Sequence, residues 1–173
     1  AHWGRSAPGD HVGYLPQDIK LVSDTVAANI GSFKTNVDQE GIEAARLAGV
    51  HEMIIRLPQG YETQIGEGGA VLSGGYRQRI ALARAVFGTP NLIILDEPSS
   101  NRDADGDRAL SDCAIELKRR GSTVIIVSHR PSTLANVDKI LLLRDGAVEA
   151  FGMRNEIVAL LNQRQAPMAV ATQ

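Results

Sequence analysis

Two uninterrupted apolar runs constrain the fold of this chain more than any other feature of its sequence. Residues 92–96 read LIILD and residues 123–129 read TVIIVSH, so each run ends in a polar side chain. Such runs of Ile, Leu and Val are typical of parallel strands that are buried on both faces. The segment between them, ADGDRALSDCAIELKRR, predicts a helix that Gly121 ends. This alternation predicts an α/β fold with a parallel sheet, in which ligands bind beyond the carboxyl ends of the strands.

The rest of the chain predicts short elements around this sheet. HVGYLPQ predicts a strand that ends at Gln17, and SDTVAANIGSF predicts a short helix capped by Ser23 or Asp24. Further helices are predicted in DQEGIEAARLAGV, in RNEIVALLNQ and in HEMIIRLP, where Pro58 stops the helix. DKILLLRDGAVEAFG predicts two strands joined by an Asp-Gly turn. We expect one domain, with residues 19–72 as a mostly helical insertion between strands.

Composition and charge argue against several classes of protein. The 173 residues carry a net charge of −2 and only 4% aromatic residues, which argues against a basic, base-stacking surface for nucleic acid. No apolar run reaches the roughly 20 residues that span a bilayer. Cys113 is the only cysteine in the sequence, so we expect a buried thiol in a reducing, cytosolic compartment.

The stretch LSGGYRQRIALARA, residues 72–85, predicts a helix whose first turn is suited to an anion. Ser73 is a favourable N-cap, and Gly74 and Gly75 let a ligand approach the backbone closely. The amino-terminal end of a helix carries partial positive charge and free N–H groups, which favour a phosphate. Arg77 and Arg79 follow, either as charges at an interface or as part of a solvated helix face.

Polar side chains at the ends of the predicted strands are candidates for phosphoryl-transfer chemistry. In LIILDEP, Asp96 is placed to hold Mg2+ and Glu97 to polarise a water molecule, although an isolated Asp-Glu pair is more often a surface turn. His129 ends the next strand, where it can orient water or donate to a phosphate, or serve as an ordinary polar residue. Gln17 ends the first strand, where its amide oxygen can reach a metal ion or a water, or be solvated.

Taken in order, these motifs resemble the nucleotide-binding domain of ATP-binding cassette (ABC) transporters, from about residue 12 to residue 159. YLPQD resembles the Q-loop, LSGGYRQR the signature motif, LIILDEP the Walker B motif, SSNRD the D-loop and IVSHR the H-loop. The resemblance implies a P-loop NTPase-like sheet with a helical signature subdomain. It implies that residues 1–173 are part of an ABC ATPase domain. Within this part, a helical subdomain would span about 19–88, and the Walker B and H-loop part of the core about 89–165.

The same resemblance implies an ATPase that uses ATP and Mg2+. Asp96 and Gln17 would bind the metal ion, and Glu97 would act as the general base, assisted by His129 and Gln17. The signature residues Ser73, Gly74 and Gly75 would bind the ATP of a partner subunit in a head-to-tail dimer, and Asp103 would link the two sites. These last residues lie in the signature motif and the D-loop.

The finer resemblance is to exporters of type I secretion systems, carried by GYLPQDIKLVSDTVAANI, LPQGYETQIGEGGAVLSGG and DKILLLRDGAVEAFG. It implies a transmembrane domain, a membrane fusion protein, an outer-membrane channel and a place at the cytoplasmic face of the bacterial inner membrane. It implies no nucleic acid. Alternatives are a lipid or drug exporter, a soluble cassette that does not act in transport, and a catalytically inactive partner cassette.

The sequence also departs from the family pattern. No G-x-x-x-x-G-K-[ST] phosphate loop occurs in it, so we expect a carboxyl-terminal part of a longer transporter, inactive by itself, or else a decayed cassette. Tyr76 stands where the signature motif usually has Gln, and Arg102 stands where the D-loop usually has an apolar residue. Both departures put full hydrolytic competence in doubt.

Overall fold

A three-stranded parallel sheet organises the first part of the computed structural model, which describes residues 11–31, 39–98 and 104–165. The strands are β1 (Val12–Leu15), β2 (Leu92–Asp96) and β3 (Thr123–Val127), in the spatial order β1-β2-β3. The registers pair Val12 with Leu92 and Leu92 with Thr123, so the three strands begin together. The predicted parallel sheet is therefore present, and the carboxyl ends of its strands lie at one edge.

The chain divides into two compact units, with the boundary between His129 and Arg130. In the first unit, α1 to α4 lie between β1 and β2, and α5 lies between β2 and β3. Their bounds are Val26–Ile30 for α1, Gln39–Leu47 for α2, His51–Ile54 for α3, Gly74–Val86 for α4 and Ala104–Arg119 for α5. Two short 3-10 turns, Gly60–Glu62 and Glu67–Gly69, connect α3 to α4. The division at residues 19–88 and 89–165 stays a prediction.

One face of the sheet packs on α4 and α5 to form the core of the first unit. The buried residues there include Leu15, Ile93 and Leu95 in the sheet, Ile80 and Leu82 in α4, and Leu110, Cys113 and Leu117 in α5. Strand β1 approaches α4 so closely that a Cβ atom at Gly13 would lie 1.8 Å from the backbone oxygen of Ala85. Glycine is therefore required at this crossing, because any side chain would collide with a backbone atom.

Two details of the sequence prediction, the cap of α1 and the end of α3, are corrected by the structure. The N-cap of α1 is Thr25, whose Oγ1 accepts the Ala28 N–H at 3.0 Å, while the Asp24 carboxylate accepts the Thr25 N–H at 2.7 Å. Ser23 makes no cap because the helix begins at Val26, beyond its reach. Helix α3 ends at Ile54, before Pro58, because an i to i+3 bond from Leu57 N–H to the Ile54 oxygen tightens the chain into a turn.

The prediction that β3 is buried on both faces is wrong for the described residues. Ile125 and Val127 are each about half exposed, together with Tyr14 of β1 on the same face. Their neighbours Val124 and Ile126 point to the core face and are partly buried there. In the described part of the chain, this apolar run is therefore a strand with one face against the core and one face half exposed.

The second unit, from Arg130, contains a β-hairpin and a helix. A 3-10 turn (Pro131–Asn136) precedes β4 (Lys139–Arg144), which pairs antiparallel with β5 (Ala147–Met153), and α6 spans Arg154–Gln165. Asp145 and Gly146 have φ of +49° and +78°, the positive values that a two-residue type I′ turn requires. The predicted Asp-Gly hairpin is confirmed. No helix in the described ranges is long and apolar enough to cross a membrane.

Candidate functional site

Glu97 and His129 meet at the carboxyl edge of the sheet. Glu97 directly follows β2, and His129 lies two residues beyond the end of β3. The Glu97 N–H donates to the Val127 oxygen at 2.9 Å, which continues the β2–β3 ladder past Asp96. The Glu97 carboxylate Oε1 lies 2.8 Å from Nδ1 of the imidazole. The sequence prediction that both side chains share this edge is confirmed in geometry.

The backbone of Glu97 is held in an unusual conformation. Its φ of +49° lies in the left-handed region, which residues other than Gly, Asn and Asp rarely adopt. Such strain costs on the order of 1 kcal/mol and persists only where neighbouring contacts over-determine it. Here the N–H bond to Val127 supplies one such contact, and the ion-pair geometry with His129 supplies another. The Glu97 side chain is 23% exposed and that of His129 is 76% exposed, so the pair is open to a ligand.

Asp96 ends β2 beside this pair and is half-buried. The hydroxyl of Tyr14, in the neighbouring strand β1, makes a long hydrogen bond of 3.5 Å to Asp96 Oδ2. Sequence reasoning did not single out Tyr14, although its place one residue before the end of a strand in a parallel sheet was available as a signal. Gln17 lies two residues past β1 and is exposed.

The oxygen donors at this edge suit a Mg2+ ion that takes most of its ligands from water and substrate. Among the described residues, no group of three or more His, Cys, Asp or Glu side chains could enclose a metal. Mg2+ is commonly bound by one or two carboxylates, with waters and substrate phosphates completing its octahedron. Asp96, a carboxylate at the end of β2, fits that pattern and does not fit a closed protein cage. Gln17, an exposed residue past the end of β1, carries a second oxygen donor.

The first turn of α4 has the predicted geometry. Ser73 has extended backbone angles and is the N-cap, and its Oγ accepts the Tyr76 N–H at 3.4 Å. Ser73 is exposed, and Gly74 and Gly75 are half-buried in the first turn of a 13-residue helix. Tyr76, which departs from the family pattern, is partly buried and packs against the core cluster.

The arginines that follow are held within the first unit. The Arg79 Nη1 group donates to the Met53 sulfur at 3.2 Å. The aliphatic part of Arg77 lies against Gly69, where an added Cβ would come within 3.1 Å of Arg77 Cδ. Both side chains are half-buried, so the interpretation as a solvated helix face does not describe them. Asp103 and Arg102 lie outside the described residues.

Comparison with known proteins gives a consistent assignment. The sequence profile of the family described as "ABC transporter" matches residues 2–100. The chain is 50% identical over 157 residues to the type I secretion system ATP-binding protein PrsD of Rhizobium meliloti (strain 1021), covering 90% of this chain and 27% of the relative. It is 40% identical over 149 residues to the ATP-dependent lipid A-core flippase of Chromohalobacter salexigens, covering 86% of this chain and 26% of that protein.

A solved structure also resembles this fold. A bacterial Atm1-family ABC exporter with ATP bound superimposes with a TM-score of 0.77 at 33% identity, covering 95% of this chain and 29% of that one. The predicted α/β fold of an ABC ATPase is thereby confirmed. The chain spans about a quarter of the length of PrsD and of the flippase. Because the family profile matches more than half of the chain, and the motifs occur in the family order, the chain belongs to the ABC transporter family.

Proposed function

We propose that this chain is part of the ATP-hydrolysing cassette of an ABC exporter that powers type I protein secretion. The observation that carries the catalytic part is the 2.8 Å contact between Glu97 Oε1 and His129 Nδ1 at the carboxyl edge of the parallel sheet. This edge is where α/β folds bind their ligands. The identity of 50% to a type I secretion ATP-binding protein supports the transport part.

In the proposed reaction, a water molecule attacks the terminal phosphorus of ATP, and the bond to the bridging oxygen of ADP breaks. Glu97 accepts the proton of the attacking water as general base, since its carboxylate is partly exposed and is held by the contact with His129. His129 fixes the orientation of that carboxylate and can donate to a phosphate oxygen through its exposed ring. Gln17 would help to order the attacking water from the end of the neighbouring strand.

Asp96, with Gln17, would hold Mg2+ together with phosphate oxygens and waters. When bound, the ion supplies positive charge that stabilises the negative charge on the transferring phosphoryl group. The Tyr14 hydroxyl, 3.5 Å from Asp96 Oδ2, is the neighbouring polar group from β1. This chain would thus supply an oxygen ligand at the edge of a packed sheet.

Ser73, Gly74 and Gly75 would complete the ATP site of a partner cassette in a head-to-tail dimer. This role is supported by exposed Ser73 and by the two glycines in the first turn of α4, where the end of the helix favours a terminal phosphate. Asp103 would connect the two sites of the dimer. The 173 residues by themselves would be inactive, because their sequence has no phosphate loop to hold ATP in cis.

Type I secretion would further require a transmembrane domain, a membrane fusion protein and an outer-membrane channel, with this cassette at the cytoplasmic face of the inner membrane. A lipid exporter is a second candidate, favoured by 40% identity to the lipid A-core flippase. Glu97→Gln in the source organism separates the two. Loss of a secreted protein supports type I secretion, whereas unchanged protein secretion with a defect in lipid export supports the alternative.

The catalytic assignment is tested with Glu97→Gln in the native polypeptide that contains this sequence. We expect ATP turnover to fall by at least about 100-fold, which is typical of removing a general base, while ATP binding is retained. Glu52→Gln, an exposed change on α3, is the matched control and should leave turnover unchanged. Turnover that survives Glu97→Gln would remove Glu97 as the base, whereas a native polypeptide that binds ATP without turnover would favour an inactive partner cassette.

A further inference from the structure

A half-buried guanidinium links α4 to the segment that follows Gln17. Arg84 lies in the last turn of α4. Its Nε donates to the Asn29 backbone oxygen at 2.7 Å, its Nη2 to Asn29 Oδ1 at 2.8 Å and its Nη1 to the Lys20 oxygen at 3.1 Å. These acceptors are two backbone carbonyls and an amide, and burial lowers the pKa of the guanidinium. The guanidinium of Arg84 thus donates to uncharged acceptors on two separate segments, at Lys20 and at Asn29.

Asn29 is the centre of this network and is 1% exposed. Its side-chain oxygen accepts the Val22 N–H at 2.9 Å, and its side-chain nitrogen donates to the Val22 oxygen at 3.0 Å and to the Thr25 oxygen at 2.9 Å. The amide therefore pairs with both backbone groups of Val22, as a neighbouring strand would. Removing Arg84 would take a donor from the side-chain oxygen and from the backbone oxygen of buried Asn29, which is costly.

Apolar contacts fix the same segment one residue away. A Cβ atom at Gly69 would lie 3.1 Å from Leu21 Cδ1 and 3.1 Å from Arg77 Cδ, so these groups pack tightly around Gly69. Leu21 is buried in the core cluster that includes α4. Residues 20–22 are therefore held to α4 directly by the Arg84 bond to the Lys20 oxygen and by packing at Leu21. Val22 is held indirectly, through Asn29 of α1, which Arg84 also binds.

The segment between Gln17 and Lys20 has no regular secondary structure. The position of Gln17 is consequently set by its two nearest anchors, which are β1 on one side and the Arg84 network on the other. We propose that Arg84 is a positioning residue that holds residues 18–24 on α4 and so fixes Gln17 relative to the signature helix. The consequence for ATP turnover rests on the proposed function, whereas the anchoring itself does not.

The anchoring is tested by amide hydrogen exchange on Arg84→Lys in the native polypeptide that contains this sequence. Lysine keeps the charge and the aliphatic stem but cannot reproduce a fork that reaches three acceptors. We expect exchange in a peptide spanning residues 18–25 to increase about tenfold or more, the factor that corresponds to losing one hydrogen bond from a charged donor. Exchange in β2 should not change, which separates a local release from general destabilisation.

Two controls match this substitution. Arg119→Lys changes an exposed arginine whose hydrogen bonds are to Glu116. Lys20→Gln changes a side chain whose residue contributes only its carbonyl to the network. Neither should alter exchange at residues 18–25. Arg84→Met removes all three bonds and should release the segment further; if it fails to fold, Arg84→Lys still decides the question.

The catalytic consequence has a separate readout. If Gln17 orders the attacking water, Arg84→Lys should lower kcat about tenfold with KM for ATP changed less than about twofold, by the same lost hydrogen bond. Unchanged local exchange, or an equal rise throughout the first unit, overturns the anchoring. Local release with an unchanged kcat overturns the link to Gln17. A wild-type polypeptide without ATPase activity refutes the proposed function, and the exchange result then decides the anchoring alone.

Discussion

Replacing Gly13 by alanine tests the closest crossing in the first unit, where β1 passes over α4. A methyl group there would lie 1.8 Å from the Ala85 oxygen and 3.0 Å from Pro90 Cγ. Carbon and oxygen atoms in favourable contact lie about 3.3 Å or more apart, so β1 or α4 must move by roughly 1.5 Å. The obstacle is a backbone atom inside a helix, and it cannot rotate away as a flexible side chain can.

The size of the effect follows from that geometry. Forcing extra volume into a packed core costs about 1–3 kcal/mol, and a backbone obstacle places Gly13→Ala at the upper end. Replacing glycine also restricts the unfolded chain, which offsets up to about 1 kcal/mol. We therefore expect a net loss of about 2 kcal/mol or more in the free energy of unfolding. For a chain of this size, this lowers Tm by roughly 4–8 °C.

Urea unfolding followed by far-ultraviolet circular dichroism measures this loss. Gly88→Ala is the matched control, because its φ is +71° and an added Cβ would meet nothing within 4 Å. That variant carries backbone strain of about 1 kcal/mol and no collision. If Gly13→Ala destabilises the protein no more than Gly88→Ala, the close contact between β1 and α4 is wrong.

Two titratable groups give further predictions. Burial raises the pKa of the Cys113 thiol to about 12, so the folded protein should react with iodoacetamide at pH 8 far more slowly than the same protein in urea. Hydrogen bonds from Arg119 and Arg120 lower the pKa of Glu116 to about 2, below its usual 4.5. The stabilising contribution of Glu116 is therefore complete above pH 4.5 and is lost as the pH falls toward 2. Glu116→Gln should thus destabilise the protein at neutral pH and lose that effect near pH 2, as followed by urea unfolding at both pH values.

The parts of the fold that the sequence predicts are those that depend on local pattern. Residues 92–96 and 123–127 are strands because apolar residues are continuous in them, and the polar residues that follow place Glu97 and His129 at one edge. The hairpin between β4 and β5 is predictable because Asp145 and Gly146 tolerate the positive φ that its turn requires.

The parts that the sequence does not predict depend on contacts between distant residues. The sequence predicts Ser23 or Asp24 as the cap of α1, whereas the fold makes Thr25 the cap. An apolar run implies cover on both faces, yet one face of β3 is half exposed in the described part of the chain. Asn29 and Arg84 are 55 residues apart, and neither lies in a motif that suggests their pairing.

The candidate site consists of two parts that depend on different contacts. Glu97 and His129 are joined through the β2–β3 ladder, which the Glu97 N–H bond to Val127 extends. Gln17 instead continues from β1, whose position depends on its pairing with β2 and on the contact of Gly13 with α4. A displacement of β1 should therefore move Gln17 relative to α4 while the Glu97–His129 contact is kept. Gly13→Ala and Arg84→Lys consequently perturb the same part of the site from opposite ends of one segment, whereas Glu97→Gln perturbs the other part.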